Sequence, residues 1–203
     1  MRILVTAFGP FEGRPQNASS LALAGLKRRF PEIRTRVFPV DMVIAPARLR
    51  QAMRRIRPDA LVLLGEAAGS KAIRLEETAW NELDFRLPDL AGRLPAPRAI
   101  RPSGPASLKS TLPLASLHQR WVENGYPAEI SQDPGRYLCN LVFFKALDLL
   151  QTSGANCPAG FIHLPLAAEF PTERAVSALA HIIEELHSKD PAPDFICGMP
   201  SRP

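Results

Sequence analysis

Short apolar runs alternate along this chain with stretches whose apolar residues recur every three or four positions, and that alternation predicts the fold class. Ile3-Leu4-Val5-Thr6-Ala7-Phe8 carries almost no polar face and reads as a buried first strand. Leu21, Leu23 and Leu26 predict a helix over 19–29, closed by Pro31. Residues 35–40 predict a second strand and 46–56 a second helix, with Pro46 in its opening turn, where a missing N–H costs nothing. After Pro58, the run 60–64 is fully apolar and ends at Gly65. Residues 72–78 then alternate, with Ile73 and Leu75 on one face and Arg74 and Glu76 on the other. Taken alone, that pattern makes Glu76 a surface carboxylate.

Periodicity vanishes from 87 to 113, where proline and glycine are dense. In a compact domain so long an irregular excursion is usually a functional or mobile loop. A helix over 114–124, a short strand Ala128–Ser131, a helix over 138–152 and a strand over 160–164 follow. A long amphipathic helix, Thr172–Ser188, precedes a proline-rich tail after Asp190 that reads as loosely ordered. Strands alternating with helices predict one α/β domain over 1–190, with a largely parallel sheet, and a tail over 191–203.

Composition adds boundaries. A length of 203 residues suits one domain with a substantial core. Three well-separated cysteines do not suggest a disulfide framework and fit a reducing compartment. The opening apolar run is too short for a signal peptide, and no run approaches the roughly 20 residues that span a bilayer. A cytoplasmic protein without a membrane partner is the expectation. The net charge of +5 is mild, although Arg48, Arg50, Arg54, Arg55 and Arg57 crowd one segment. No aromatic residue is interleaved there to stack a base, which argues against a nucleic-acid surface.

Candidate chemistry centres on Cys139. Pro134-Gly135 breaks the backbone just before it, and an apolar helical segment begins at once. A sulfur in the first turn of a helix meets unpaired N–H groups and the positive end of the dipole, which favour a thiolate. Free cysteines are also among the most buried residue types, so packing alone is the competing explanation. Of the four histidines, His118 sits among polar neighbours and reads as surface, while His181 and His187 form no HExxH motif. No metal-ligand spacing involves Cys157 or Cys197, so neither metal nor cofactor is expected. His163 lies inside the apolar run Gly160-Phe161-Ile162-His163-Leu164-Pro165, near the strand end where open α/β sheets place ligands. With Glu76, it completes the set that thiol catalysis needs: nucleophile, base and orienting acid.

Phe8-Gly9-Pro10-Phe11, Ile73-Arg74-Leu75-Glu76, Gly135-Arg136-Tyr137-Leu138-Cys139-Asn140 and Phe161-Ile162-His163-Leu164-Pro165 together resemble the pyroglutamyl-peptidase I family of cytosolic cysteine peptidases. The resemblance implies a single-domain three-layer αβα sandwich of the phosphorylase/hydrolase-like kind, with a largely parallel, mixed central sheet. It implies Cys139 as nucleophile, His163 as base, Glu76 as orienting acid and Arg86 as a cation beside the cysteine. It also implies Phe8 and Phe11 as walls around a pyroglutamyl ring, Asn17 as the orderer of that loop and Leu138 as a further substrate contact. Its members act on peptides with an N-terminal pyroglutamate and form homodimers or homotetramers.

The chain departs from the family pattern around the rim. A Gly-Gln-Ala-type loop followed by arginine is here Gly65-Glu66-Ala67-Ala68-Gly69-Ser70-Lys71, with Lys71 the nearest replacement cation. Glu66 is thereby a candidate either to accept the lactam N–H or to favour a cationic ligand. Glu12, Ala18 and Asp133-Pro134 also replace the usual residues. Altered N-terminal specificity and a non-catalytic binding protein on the same fold are the alternatives. A phosphate-binding loop is not, since neither GxGxxG nor GxxxxGK[ST] occurs.

Overall fold

The computed structural model describes residues 1–188; the tail over 191–203 and Cys197 lie outside them. The described chain forms β1 (Ile3–Phe8), α1 (Ala18–Arg29), β2 (Arg34–Phe38), α2 (Ile44–Ile56), β3 (Ala60–Glu66), β4 (Ile73–Glu76) and β5 (Thr78–Trp80). After these come β6 (Ser107–Lys109), α3 (Leu114–Glu123), β7 (Ala128–Ser131), α4 (Leu138–Ser153), β8 (Ala159–Leu164) and α5 (Thr172–Ser188).

Six strands form one sheet in the order β2-β1-β3-β8-β4-β7. The first four run parallel; β4 is antiparallel to β8 and parallel to β7. Strands β1 and β8 are buried at every position, which is why their sequences are apolar runs rather than alternations. The two faces carry separate cores. Ile3, Val5, Val62, Leu64, Leu75 and Ile162 pack with apolar residues of α1, α3 and α5. Leu4, Phe8, Leu61, Leu63 and Phe161 pack with those of α2 and α4. The result is a three-layer α/β sandwich. Among the described residues no helix is long and apolar enough to cross a membrane.

Four expectations change. The face of β4 opposite Ile73 and Leu75 lies on the α4 side of the sheet, so Glu76 is fully buried rather than at the surface. The excursion over 87–113 is not wholly irregular: it supplies β6, which pairs antiparallel with β5, and Arg98 bridges back to Leu83. His118 does not simply face water, because its Nε2 lies 3.1 Å from the Ala128 carbonyl and ties α3 to β7. The opening of α2 also moves forward, to Ile44, because the Asp41 carboxylate accepts the N–H groups of Val43 and Ile44, both at 2.8 Å. Pro46 remains in the first turn, where its missing N–H is harmless.

Candidate active site

Cys139 is the second residue of α4, and local sequence explains how it is presented. Gly135 adopts the left-handed conformation at φ 78°, turning the chain back after β7. Asp133 accepts the Gly135 N–H at 3.1 Å and steadies that turn. Tyr137, at the helix boundary, is extended and offers no side-chain cap. The first N–H groups of α4 therefore receive nothing from that cap, where a developing negative charge could use them. Asn140 is fully buried behind the cysteine, accepting the Trp80 N–H at 2.8 Å and donating to the Trp80 and Glu82 carbonyls. It fastens the helix start to β5.

The sheet register brings His163 and Glu76 under this helix. Arg74 stands opposite His163 and Glu76 opposite Phe161, so the carboxylate reaches diagonally to the ring. His163 Nδ1 lies 2.8 Å from Glu76 Oε1, with both side chains almost wholly buried. Burial works against a charged His163, but the adjoining Cys139 sulfur, within hydrogen-bonding reach, and Glu76 push it up to about 9. Burial likewise opposes ionisation of Glu76, yet His163, Ser131 and Arg74 hold it below the usual carboxylate range. Space for the thiol comes from Gly65 of β3. A Cβ there would fall 3.0 Å from Cys139 Sγ and 2.7 Å from the Phe161 ring.

In front of the sulfur opens a cavity of about 670 Å³, lined by Phe8, Phe11, Asn17, Glu66, Arg86, Leu138 and Cys139 among others. Every substrate-contact candidate from the sequence thus borders one space. His163 and Glu76 do not border it; they lie behind the thiol. A cysteine facing a cavity, with a buried histidine–carboxylate pair behind it, can carry out acyl transfer.

A family model for pyroglutamyl peptidase matches residues 1–180. The chain belongs to that family. It is 36% identical to a pyrrolidone-carboxylate peptidase of Pyrococcus furiosus over 172 residues, 83% of each chain. With the Bacillus subtilis pyrrolidone-carboxylate peptidase it shares 30% identity over 182 residues, 88% of this chain and 85% of the relative. The crystal structure of the Pyrococcus furiosus pyrrolidone carboxyl peptidase superposes with a TM-score of 0.86 at 30% identity, covering 93% of this chain and 99% of the other. Pyroglutamyl peptidase I of Bacillus amyloliquefaciens superposes at 0.82 and 28% identity, covering 89% and 94%. This member of the family is accordingly a cysteine-type exopeptidase.

The rim of this peptidase is built differently from the expectation. Glu66 borders the cavity, but its Oε2 accepts the Ala18 N–H at 2.6 Å and its Oε1 lies 3.1 Å from Arg14 Nε. Oε2 thereby holds the start of α1, beside the Asn17 cap whose Oδ1 accepts the Ser19 N–H, while Oε1 accepts no hydrogen bond among the described residues. Arg14, which also pairs with Glu12 at 2.7 Å, is the cation beside Glu66. Nothing in the sequence marks this pairing, because Arg14 lies 52 positions from Glu66 and no local spacing joins them. Tyr137 is a further lining residue that no local pattern marks: its ring packs, tilted, against Phe85 and Phe11, and its hydroxyl donates to the Pro88 carbonyl at 3.0 Å. Arg136 pairs with Glu82 and Asp133 and lies 5.1 Å over the Trp80 ring. Arg86 borders the cavity exposed, and among the described residues it forms no ion pair.

Proposed function

We propose that this pyroglutamyl peptidase hydrolyses the bond after an N-terminal pyroglutamyl residue, with Cys139 as nucleophile, His163 as general base and acid, and Glu76 as the acid that orients the ring. The observation that carries the reading is the 2.8 Å contact between His163 Nδ1 and Glu76 Oε1, which leaves the other ring nitrogen for the cysteine. His163 takes the thiol proton, and the sulfur attacks the pyroglutamyl carbonyl. The resulting oxyanion is held by the Cys139 N–H, with Arg86 as a nearby cation. The imidazolium gives its proton to the leaving amine as the C–N bond breaks. Water, deprotonated by His163, then cleaves the thioester and releases pyroglutamate.

Phe8 and Phe11 suit the substrate chemically, because a lactam has no charged amine and flat apolar walls accept it. Leu138 adds apolar surface beside the thiol, and Asn17 orders the loop that carries Phe11. A reducing, cytoplasmic setting and assembly as a homodimer or homotetramer belong to the same proposal. Exposed Val43, Ile44, Leu87, Leu90 and Leu94 supply apolar surface for that assembly.

The test uses a pyroglutamyl-linked chromogenic amide with wild type and Cys139→Ser. Turnover by wild type and a loss of about 10³-fold or more in the variant are expected. Acid quenching should trap one pyroglutamyl group per chain on the wild-type cysteine, read by mass spectrometry. Equal turnover by both proteins would sink the assignment of the nucleophile.

A further inference from the structure

Glu76 is the end of the proposed catalytic chain as family motifs define it, yet its surroundings continue the chain further. The register of β4 on β7 sets Glu76 opposite Ser131 and Arg74 opposite Glu129, all on the sheet face that carries His163. Glu76 Oε1 is committed to His163, while Oε2 is buried and accepts no other hydrogen bond among the described residues. Ser131 Oγ meanwhile accepts from Arg74 Nη2 at 2.6 Å and from the Asp133 N–H at 3.2 Å. A hydroxyl has two lone pairs and one proton. With both lone pairs engaged, the Ser131 proton is left to donate, and the acceptor facing it is the Glu76 carboxylate.

Arg74 performs a second task. Its Nε lies 3.7 Å from Glu76 Oε1 and 3.0 Å from Glu129 Oε1, and its Nη2 donates to the Asp133 carbonyl at 3.1 Å. One guanidinium therefore touches the acid, the serine and the chain entering the Pro134-Gly135 turn that presents Cys139. Lysine could supply the charge but not this planar fork.

We propose that Arg74 and Ser131 are positioning residues that hold Glu76 ionised and aimed at His163, extending the relay from Cys139 to the edge of the sheet. The inference rests on the proposed roles of Cys139, His163 and Glu76. The titratable and charged groups around Glu76 are His163 from β8, Arg74 from its own strand and, through Arg74, Glu129 from β7; Cys139 from α4 adjoins His163 on its other side. Lys109 of β6, farther along, is engaged by Glu77 and Thr78. Removing Arg74 leaves Glu76 with one cation fewer and Glu129 unbalanced, and both changes favour its protonated form.

The decisive measurement is kcat/KM against pH for wild type, Arg74→Met, Arg74→Lys and Ser131→Ala, with Cys139→Ser as control. Arg74→Met should move the acid limb upward by about half to one pH unit. It should lower kcat on the order of tenfold while KM changes little. Arg74→Lys should restore most of the acid limb without all of kcat, and Ser131→Ala should move the limb in the direction of Arg74→Met. An acid limb unmoved in both Arg74→Met and Ser131→Ala, with wild-type melting temperatures, would overturn the inference. Should Arg74→Met fail to fold, an unmoved limb in Ser131→Ala together with wild-type kcat in Arg74→Lys overturns it equally. Turnover retained by Cys139→Ser would instead remove the underlying reading, so the two failures are distinguishable.

Discussion

Gly65 is a residue whose role lies in what it lacks. It stands opposite His163 in the β3–β8 register, and its missing side chain is the floor on which the Cys139 sulfur rests. A methyl group there would meet the Phe161 ring at 2.7 Å and the sulfur at 3.0 Å. The ring is packed in the core and cannot retreat, so the thiol end must give. Gly65→Ala is expected to cost about 1–3 kcal/mol by overpacking. It should also lower kcat/KM roughly a hundredfold, because a shift near 1 Å misaligns the attack. Urea melts and steady-state kinetics on the same preparation separate the two effects. At this scale the sequence exposed Cys139 and His163, since a thiol after Pro-Gly and a histidine inside an apolar run are local anomalies. Alternation alone would leave Glu76 at the surface, because it reports two faces of a strand and not what covers each; the anomalies at Cys139 and His163 are what give it a role.

Between residues and the whole fold, elements are held by short-range devices that pattern reading does not see. Asp89 is the hub of one. Its carboxylate accepts the N–H groups of Met42, Ala91 and Arg93, and Arg93 also bridges to Asp41 at 2.9 Å. Burial opposes the charge on Asp89, and these donors more than offset it, holding the carboxyl below its ordinary range. The clasp joins the segment 84–93 to the turn at 40–44. That segment carries Arg86 and Leu87 to the cavity and offers the Pro88 carbonyl to Tyr137. Loosening it should therefore weaken substrate binding more than chemistry. Asp89→Asn is expected to raise KM about fivefold or more with kcat within about twofold, as loss of positioning on the binding side predicts. Michaelis curves at saturating and limiting substrate check this. The boundaries of β7, α3 and α5 were legible because periodicity and helix-stopping residues are local. The pairing of β5 with β6, 29 positions apart at their starts, was not.

At the scale of the molecule, the His163–Glu76 pair joins β8 to the antiparallel β4, so the sheet's integrity and the site's protonation are linked. His163 is raised from 6.5 to about 9, so its contribution to stability is full below 6.5 and is lost as pH rises through about 9. Glu76 is lowered from 4.5, so its contribution is full above 4.5 and is lost as pH falls through the depressed value. The pair stabilises most between 4.5 and 6.5. Thermal melts from acid to alkaline pH should show a plateau there and a decline toward pH 9, reduced in Glu76→Gln and, because the Cys139 sulfur also raises His163, in Cys139→Ser. The chain's own order of residues determined the α/β class, the central apolar strands, the placement of a thiol at a helix start and the family motifs, because each depends on neighbours within about a dozen positions. Only the tertiary structure decided that β4 runs against β8, that Glu76 is buried beside His163 and Ser131, and that Glu66 is taken up by Ala18 and Arg14. Those outcomes depend on which strands pair and which charges end up adjacent, and long-range contacts of that kind leave no period in a sequence.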